Sequence, residues 1–223
     1  MARISRIIVP GFPNHVTQQG NYRQVVFEES QDYLRYLELI KEYSQKYGLK
    51  IWAYCLMSNH FHFIVVPSCS DALAGTFKNT HMMYSRYFNQ KKKQSRHLWQ
   101  GRFFSCCLDE SHLFASVRYV ENNSVRAGLV KRAKNYRWSS APSHVNGENN
   151  PNLSNDLPLL QQVQDWREFL RESDEERLLN KLRRCTQSGH PAGADGFTEK
   201  LEVISGRKIK AEPIGRPKKK ENK

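Results

Sequence analysis

The stretch from Leu49 to Val66 constrains the fold of this 223-residue chain more tightly than any other part of it. Leu49 to Met57 is almost wholly apolar. His60 to Val66 is apolar apart from its two histidines, and only Ser58-Asn59 separates the two runs. That pattern predicts a buried β-hairpin, with Pro67 closing its second strand. Side chains alternate across a strand, so His60 and His62 share one face while Phe61, Phe63 and Val65 point to the other. Two imidazoles at a fixed separation on a rigid strand offer borderline nitrogen ligands to a metal ion. The same spacing also suits one core histidine bonded to a backbone carbonyl and one exposed at a sheet rim. The pair alone does not establish a site.

The flanking segments fix the topology. Asn14 to Gly20 predicts a first short strand running into a Gly-Asn turn. Leu34, Leu37, Ile40 and Tyr43 recur at helical spacing over Glu29 to Tyr47, and Gly48 is a natural stop. Asp71 to Asn89 predicts a second helix, with Leu73, Phe77, Tyr84 and Phe88 on its buried side. A basic loop, Gln90 to His97, leads to a fourth strand over Leu98 to Leu108. Asp109 and Ser111 are cap candidates for a third helix reaching about Asn122. Strand, helix, strand, strand, helix, strand is the split βαβ order. The predicted class is therefore α+β: a ferredoxin-like, RRM-like antiparallel sheet. Its helices cover one face, and the other face is free for a ligand or a further helix. The His60 strand falls in the middle of that sheet.

Beyond this unit, taken as residues 1–141, the composition changes. Residues 142–156 are rich in Asn, Pro, Gly and Ser and predict a linker or surface loop. Residues 157–205 return to helical periodicity, with a glycine-rich break after Thr186 and a short helix around Phe197 to Ser205. Residues 206–223 form a basic tail with eight basic and two acidic side chains. No run of about 18 apolar residues predicts a membrane span. The apolar stretch near the N-terminus is too short for a signal peptide. Five cysteines, an odd count that includes the adjacent Cys106-Cys107, do not predict a disulfide framework, so a reducing cytoplasm is the expected compartment.

Charge narrows the partners. The net charge is +13, which calls for a polyanion, and nucleic acid is the commonest. Between Asp71 and Asp109 there is no acidic residue. That interval holds Lys91, Lys92, Lys93, Arg96 and Arg102, the candidates for a phosphate-tracking path. In the tail, Arg216, Lys218, Lys219 and Lys220 surround a Gly-Arg-Pro stretch like an AT-hook, which suits the narrow minor groove of A·T-rich duplex. A generic electrostatic arm would carry the same residues.

The last element bears on the histidines. Tyr119 and Asn123 are four apart and so share a helical face. A phenol beside a carboxamide can supply a nucleophile and a metal ligand together, although amphipathic packing and helix capping would account for the same two residues.

His60-Phe61-His62, Trp99-Gln100-Gly101-Arg102-Phe103 and Tyr119-Val120-Glu121-Asn122-Asn123-Ser124-Val125-Arg126-Ala127-Gly128-Leu129-Val130 resemble the motifs of the REP-associated tyrosine transposases, a branch of the HUH single-strand transposases. His15-Val16-Thr17 with Gly20-Asn21, and Leu56-Met57-Ser58-Asn59, fit the same family. The resemblance covers roughly Pro10 to Trp138. It departs from the family at Ser124, where a proline is usual. It implies the HUH endonuclease fold and a divalent cation, Mg²⁺ or Mn²⁺, bound by His60 and His62 and completed at the position of Asn123. It also implies Tyr119 as nucleophile, forming a 5′-phosphotyrosine link to hairpin-bearing single-stranded DNA. No nucleotide cofactor is implied, and the sequence contains no Gly-rich phosphate loop. The implied setting is the bacterial nucleoid, as monomer or homodimer. A DNA-binding protein that keeps this fold without turnover is the competing expectation. Rolling-circle initiators and relaxases usually carry the motifs in other arrangements.

Overall fold

The computed structural model describes residues 6–209. Strands β1 (Asn14–Gln19), β2 (Leu49–Met57), β3 (His60–Pro67) and β4 (Phe104–Cys107) form one antiparallel sheet in the order β2-β3-β1-β4. The hairpin closes where the sequence predicts it, with Met57 opposite His60 across Ser58-Asn59. β3 lies between β2 and β1, so the two histidines sit inside the sheet. A register shift after Ile51 lets Trp52 and Ala53 both face the same side, and Trp52 Nε1 donates to Asp156 at 2.9 Å.

One face is covered by helices α1 (Ser30–Tyr47) and α2 (Ala72–Lys91). Val16, Phe61, Phe63 and Val65 meet Tyr36, Ile40, Leu73 and Phe77 there in a fully buried aromatic-rich core. Glu29 and Asp32 cap α1 reciprocally, and Gly48 ends it at φ 68°, where a side chain would be strained.

The opposite face takes helices α3 (Glu110–Glu121) and α8 (Glu176–Ser188). Ile64, Cys55 and Met57 pack there with Val117, Val120, Leu182 and Cys185. Between these helices lie α4 (Asn123–Arg126), α5 (Ala141–Asn146), α6 (Leu159–Gln162) and α7 (Trp166–Arg171), and α9 (Phe197–Ser205) follows. Among the described residues no helix is long and apolar enough to cross a membrane.

The structure departs from the sequence expectation in two places. The fourth strand is only Phe104–Cys107, because Gly101 turns through φ 89° and leaves Leu98 to Phe103 irregular. The periodic run over residues 157–184 is broken into α6, α7 and α8. Asp165 caps α7 by accepting the Arg167 and Glu168 N–H groups, while Asp174, between α7 and α8, pairs with Arg118 of α3. The polar stretch at residues 142–156 lies against the sheet: Ser154 N–H donates to the Ile51 carbonyl at 2.8 Å, and Asp156 accepts from Trp52. The AT-hook-like residues Arg216, Lys218, Lys219 and Lys220 lie outside the described residues.

Candidate active site

Strand parity assembles the site. Thr17 lies opposite His62 and Gln19 opposite His60, so His15, Thr17 and Gln19 share the histidine face. Cys106 lies opposite His15 on β4. His15, His60, His62, Thr17, Gln19, Gln100 and Tyr119 line a cavity of about 530 Å³, closed on one side by Arg183, Thr186 and Gln187 of α8.

Each histidine of the pair has one ring nitrogen already engaged. His60 Nδ1 donates to Asn59 Oδ1 at 2.7 Å. His62 Nδ1 lies 2.9 Å from His15 Nε2, and His15 Nδ1 lies 2.8 Å from Thr186 Oγ1. The Nε2 atoms of His60 and His62 remain for a ligand. Burial pushes the His62 pKa well below its ordinary value, and neighbouring His15, His60 and Arg126 push the same way. Burial, with Arg126 beside it, lowers His60 to about 4 and His15 to about 3. All three imidazoles are therefore neutral near pH 7, the state in which a ring nitrogen offers a lone pair.

Tyr119 stands on α3 over His62 and His15. Its ring is edge-on to His62 at 5.6 Å and to His15 at 6.0 Å between centroids. The Arg126 guanidinium lies 3.9 Å from the centre of the ring, and that of Arg183 lies 5.5 Å from it. Arg126 also donates to the Tyr119 carbonyl at 2.6 Å. Hydrogen bonding to Tyr119 is the largest influence raising the Arg183 pKa, and Glu176 and Asn180 hold that guanidinium at 2.9 Å each. A phenol flanked by two positive charges is placed to carry negative charge during a reaction.

The other sequence candidates are distributed differently. Asn123 does not follow Tyr119 on one continuous helix: α3 ends at Glu121, and the chain restarts as α4 at Asn123. Its carboxamide is buried, does not line the cavity, and leaves Nδ2 without a hydrogen-bond partner. Lys91 belongs to α2 and pairs with Asp32 at 2.8 Å and with Glu29, while Lys92 pairs with Glu28 at 2.5 Å. Lys93 and Arg96 are exposed beyond the helix end, and none of these four lines the cavity. Arg102 does come near it, lining a small recess shared with Thr186, Gln187 and Gly189.

His15, Arg126, Arg183 and Thr186 join the site although the spacing of His60, His62 and Tyr119 gave no hint of them. His15 was findable, since it sits two residues from Thr17 on the same strand face. Arg183 and Thr186 are three apart and so share a face of α8, but no pattern in the sequence shows which way that face turns.

The sequence profile of the IS200-like transposases matches residues 9–123. The chain belongs to the IS200-like transposases. No curated protein matches it. Among solved structures, the transposase is similar to a REP-associated tyrosine transposase bound to a REP hairpin. The two share 19% identity over 70% of this chain and 93% of that one, with a TM-score of 0.54, which is a likeness of fold. It is also similar to a protein assigned as a transposase from Deinococcus radiodurans R1, with 15% identity over 54% of this chain and 97% of that one and a TM-score of 0.39. The four-stranded sheet thus has the fold of that REP-associated transposase. The matched segment stops at Asn123, so Arg126, Arg183 and Thr186 reach the site from beyond it.

Proposed function

We propose that this transposase is a REP-associated enzyme that cuts and rejoins hairpin-bearing single-stranded DNA through a phosphotyrosine on Tyr119. The single observation that carries the reading is Tyr119 set over His15 and His62, beside two guanidiniums, in the wall of the cavity that the histidines line. The fold likeness to a transposase holding a REP hairpin supports the substrate class.

The residues present fit a divalent cation. His60 and His62 are neutral, their Nδ1 atoms are engaged, and both Nε2 atoms are available. Among the described residues no group of three or more His, Cys, Asp or Glu is placed to share an ion. A two-histidine site leaves room for DNA phosphate oxygens and water. Asn123 is the proposed third protein ligand by its position in the family motif, and its buried carboxamide, which does not line the cavity, would have to turn toward the two histidines to bind. Mg²⁺ or Mn²⁺ held there supplies Lewis-acid polarisation of the scissile phosphate.

The protein supplies the rest. The Tyr119 oxygen forms a bond to phosphorus, and the bond from phosphorus to the 3′-oxygen breaks. The phenol proton is lost, and a proton is gained by the departing 3′-oxygen, leaving a 3′-OH and a 5′-phosphotyrosine. Attack by that 3′-OH, or by another, reverses the step, so strands rejoin without an external energy source. Arg126 and Arg183 stabilise the negative charge on the tyrosine oxygen and hold it in line. Arg102, which lines the neighbouring recess with Thr186 and Gln187, is the proposed contact for the incoming backbone.

The test uses 3′-labelled single-stranded oligonucleotides tiled over hairpin repeats, incubated with the full chain and Mg²⁺ or Mn²⁺ and run on a denaturing protein gel. A covalent band is expected from wild type, falling to background in Tyr119→Phe and with chelator. Complexes retained in native gels with no covalent band under either metal would sink the reading and leave a repeat-DNA-binding protein.

A further inference from the structure

Beyond the nucleophile and the two metal-facing histidines, a buried hydrogen-bond chain crosses from the sheet to α8. Thr186, 3% exposed, donates its hydroxyl proton to the Leu182 carbonyl at 2.8 Å. Its oxygen lies 2.8 Å from His15 Nδ1 and 3.1 Å from Cys106 Sγ. His15 Nε2 lies 2.9 Å from His62 Nδ1, and the two ring planes are within 5° of parallel. Every member of the chain is buried.

Counting protons along it leaves two arrangements. A hydroxyl has one proton to give. With that proton on Leu182, the Thr186 oxygen can only accept, so His15 carries its proton on Nδ1 and presents a bare Nε2. His62 then donates from Nδ1, and its Nε2 is left without a proton. In the reversed arrangement Thr186 gives its proton to His15, His15 gives one to His62, and the proton of His62 sits on Nε2. Only the first arrangement lets His62 bind a cation from the cavity side. The Leu182 carbonyl and the Cys106 thiol, which burial keeps protonated as a second donor to Thr186, both favour it.

We propose that Thr186 is a positioning residue of the active site: through His15 it fixes the tautomer and ring orientation of His62, so that a helix outside the family-matched segment completes the metal site. The metal part rests on the function proposed above, and the hydrogen-bond chain does not. Such a chain behind a ligand histidine fixes which nitrogen is free and holds the ring in place, and losing it costs about 10–100-fold in metal affinity. Thr186 makes no contact with the reacting atoms.

The experiment compares wild type with Thr186→Val, Thr186→Ser and His15→Phe, each checked for folding by thermal melting. Two quantities are read: the His62 tautomer, from long-range ¹H–¹⁵N correlation spectra, and Mn²⁺ affinity, from paramagnetic resonance of the free ion. Wild type is expected to show His15 and His62 both protonated at Nδ1. Thr186→Val is expected to mix the His62 tautomers and weaken Mn²⁺ binding about 10–100-fold, with Thr186→Ser restoring both. His15→Phe should release His62 in the same way with Thr186 intact, so the test survives a misfolded Thr186→Val. A His62 proton on Nε2 in wild type, or an unchanged tautomer and affinity in the two disrupting variants, overturns the inference. If wild type binds no Mn²⁺, the proposed function loses its metal, and the tautomer spectra alone decide for or against the chain.

Discussion

At His60 the proton is placed by a neighbour one residue away. Asn59 Oδ1 accepts a hydrogen bond from His60 Nδ1–H, while Asn59 Nδ2 donates to the Arg23 carbonyl at 3.3 Å. Tyr22 and Arg23 are two consecutive non-glycine residues at φ 49° and 59°, a conformation that persists only when the surroundings hold it. One carboxamide therefore serves His60, a proposed metal ligand, and a strained loop. Asn59→Ala is expected to weaken Mn²⁺ binding about tenfold and to speed amide exchange at residues 20–24, whereas Asn59→Asp keeps the acceptor and should spare the affinity. Calorimetric titration with Mn²⁺ and hydrogen exchange on the same samples check it; equal losses in both variants would mean that Asn59 acts on the loop alone. His60, His62 and Tyr119 were legible in the sequence because strand parity and motif order depend on near neighbours. The contact between His15 and Thr186 spans 171 residues, and no local pattern encodes a contact across that distance.

At the scale of elements, the hairpin and helices α1, α2 and α3 followed from periodicity and end signals, since each is stabilised by its own apolar stripe. The breaks inside 157–184 did not, because they depend on polar residues whose partners lie elsewhere. Arg118 of α3 draws Asp174 and the Phe169 carbonyl onto itself, and Glu121 gathers the following segments. Glu121 is fully buried and accepts from Ser140 Oγ, from His144 Nδ1 at 2.6 Å and from Trp166 Nε1 at 2.8 Å. Those three donors tie α5 and α7 to the end of the tyrosine helix. In Glu121→Gln one acceptor becomes a donor facing donors, which should cost about 1–3 kcal/mol in urea unfolding. Covalent-adduct formation well below the melting temperature should be unchanged. A stability loss within error of zero would show that the network is already open to water, and a lost adduct at full stability would put Glu121 in the chemistry.

Over the whole molecule the charge is uneven in a way composition does not show. Net +13 pointed to nucleic acid, and the run Lys91-Lys92-Lys93 looked like three phosphate contacts. In the fold, Lys91 is spent on Asp32 and Glu29 at the start of α1, and Lys92 on Glu28. Asp32 has no exposed side-chain surface. Burial alone would raise its pKa, but Lys91 and the Glu28 and Glu29 N–H groups lower it, so it stays a carboxylate with Lys91 as its counter-charge. Lys93 makes no ion pair with any described residue. Each single-strand phosphate contact contributes about 0.7 to the slope of log K against log salt. Replacing all three lysines with alanine is therefore expected to reduce that slope by about 0.7, where three free contacts would give about 2.1. Fluorescence anisotropy on a labelled hairpin oligonucleotide from 50 to 200 mM salt, roughly the range over which such contacts are read, measures it. A reduction near 2 would mean that DNA takes Lys91 and Lys92 from their carboxylates, and an unchanged slope would remove this end of α2 from the DNA path.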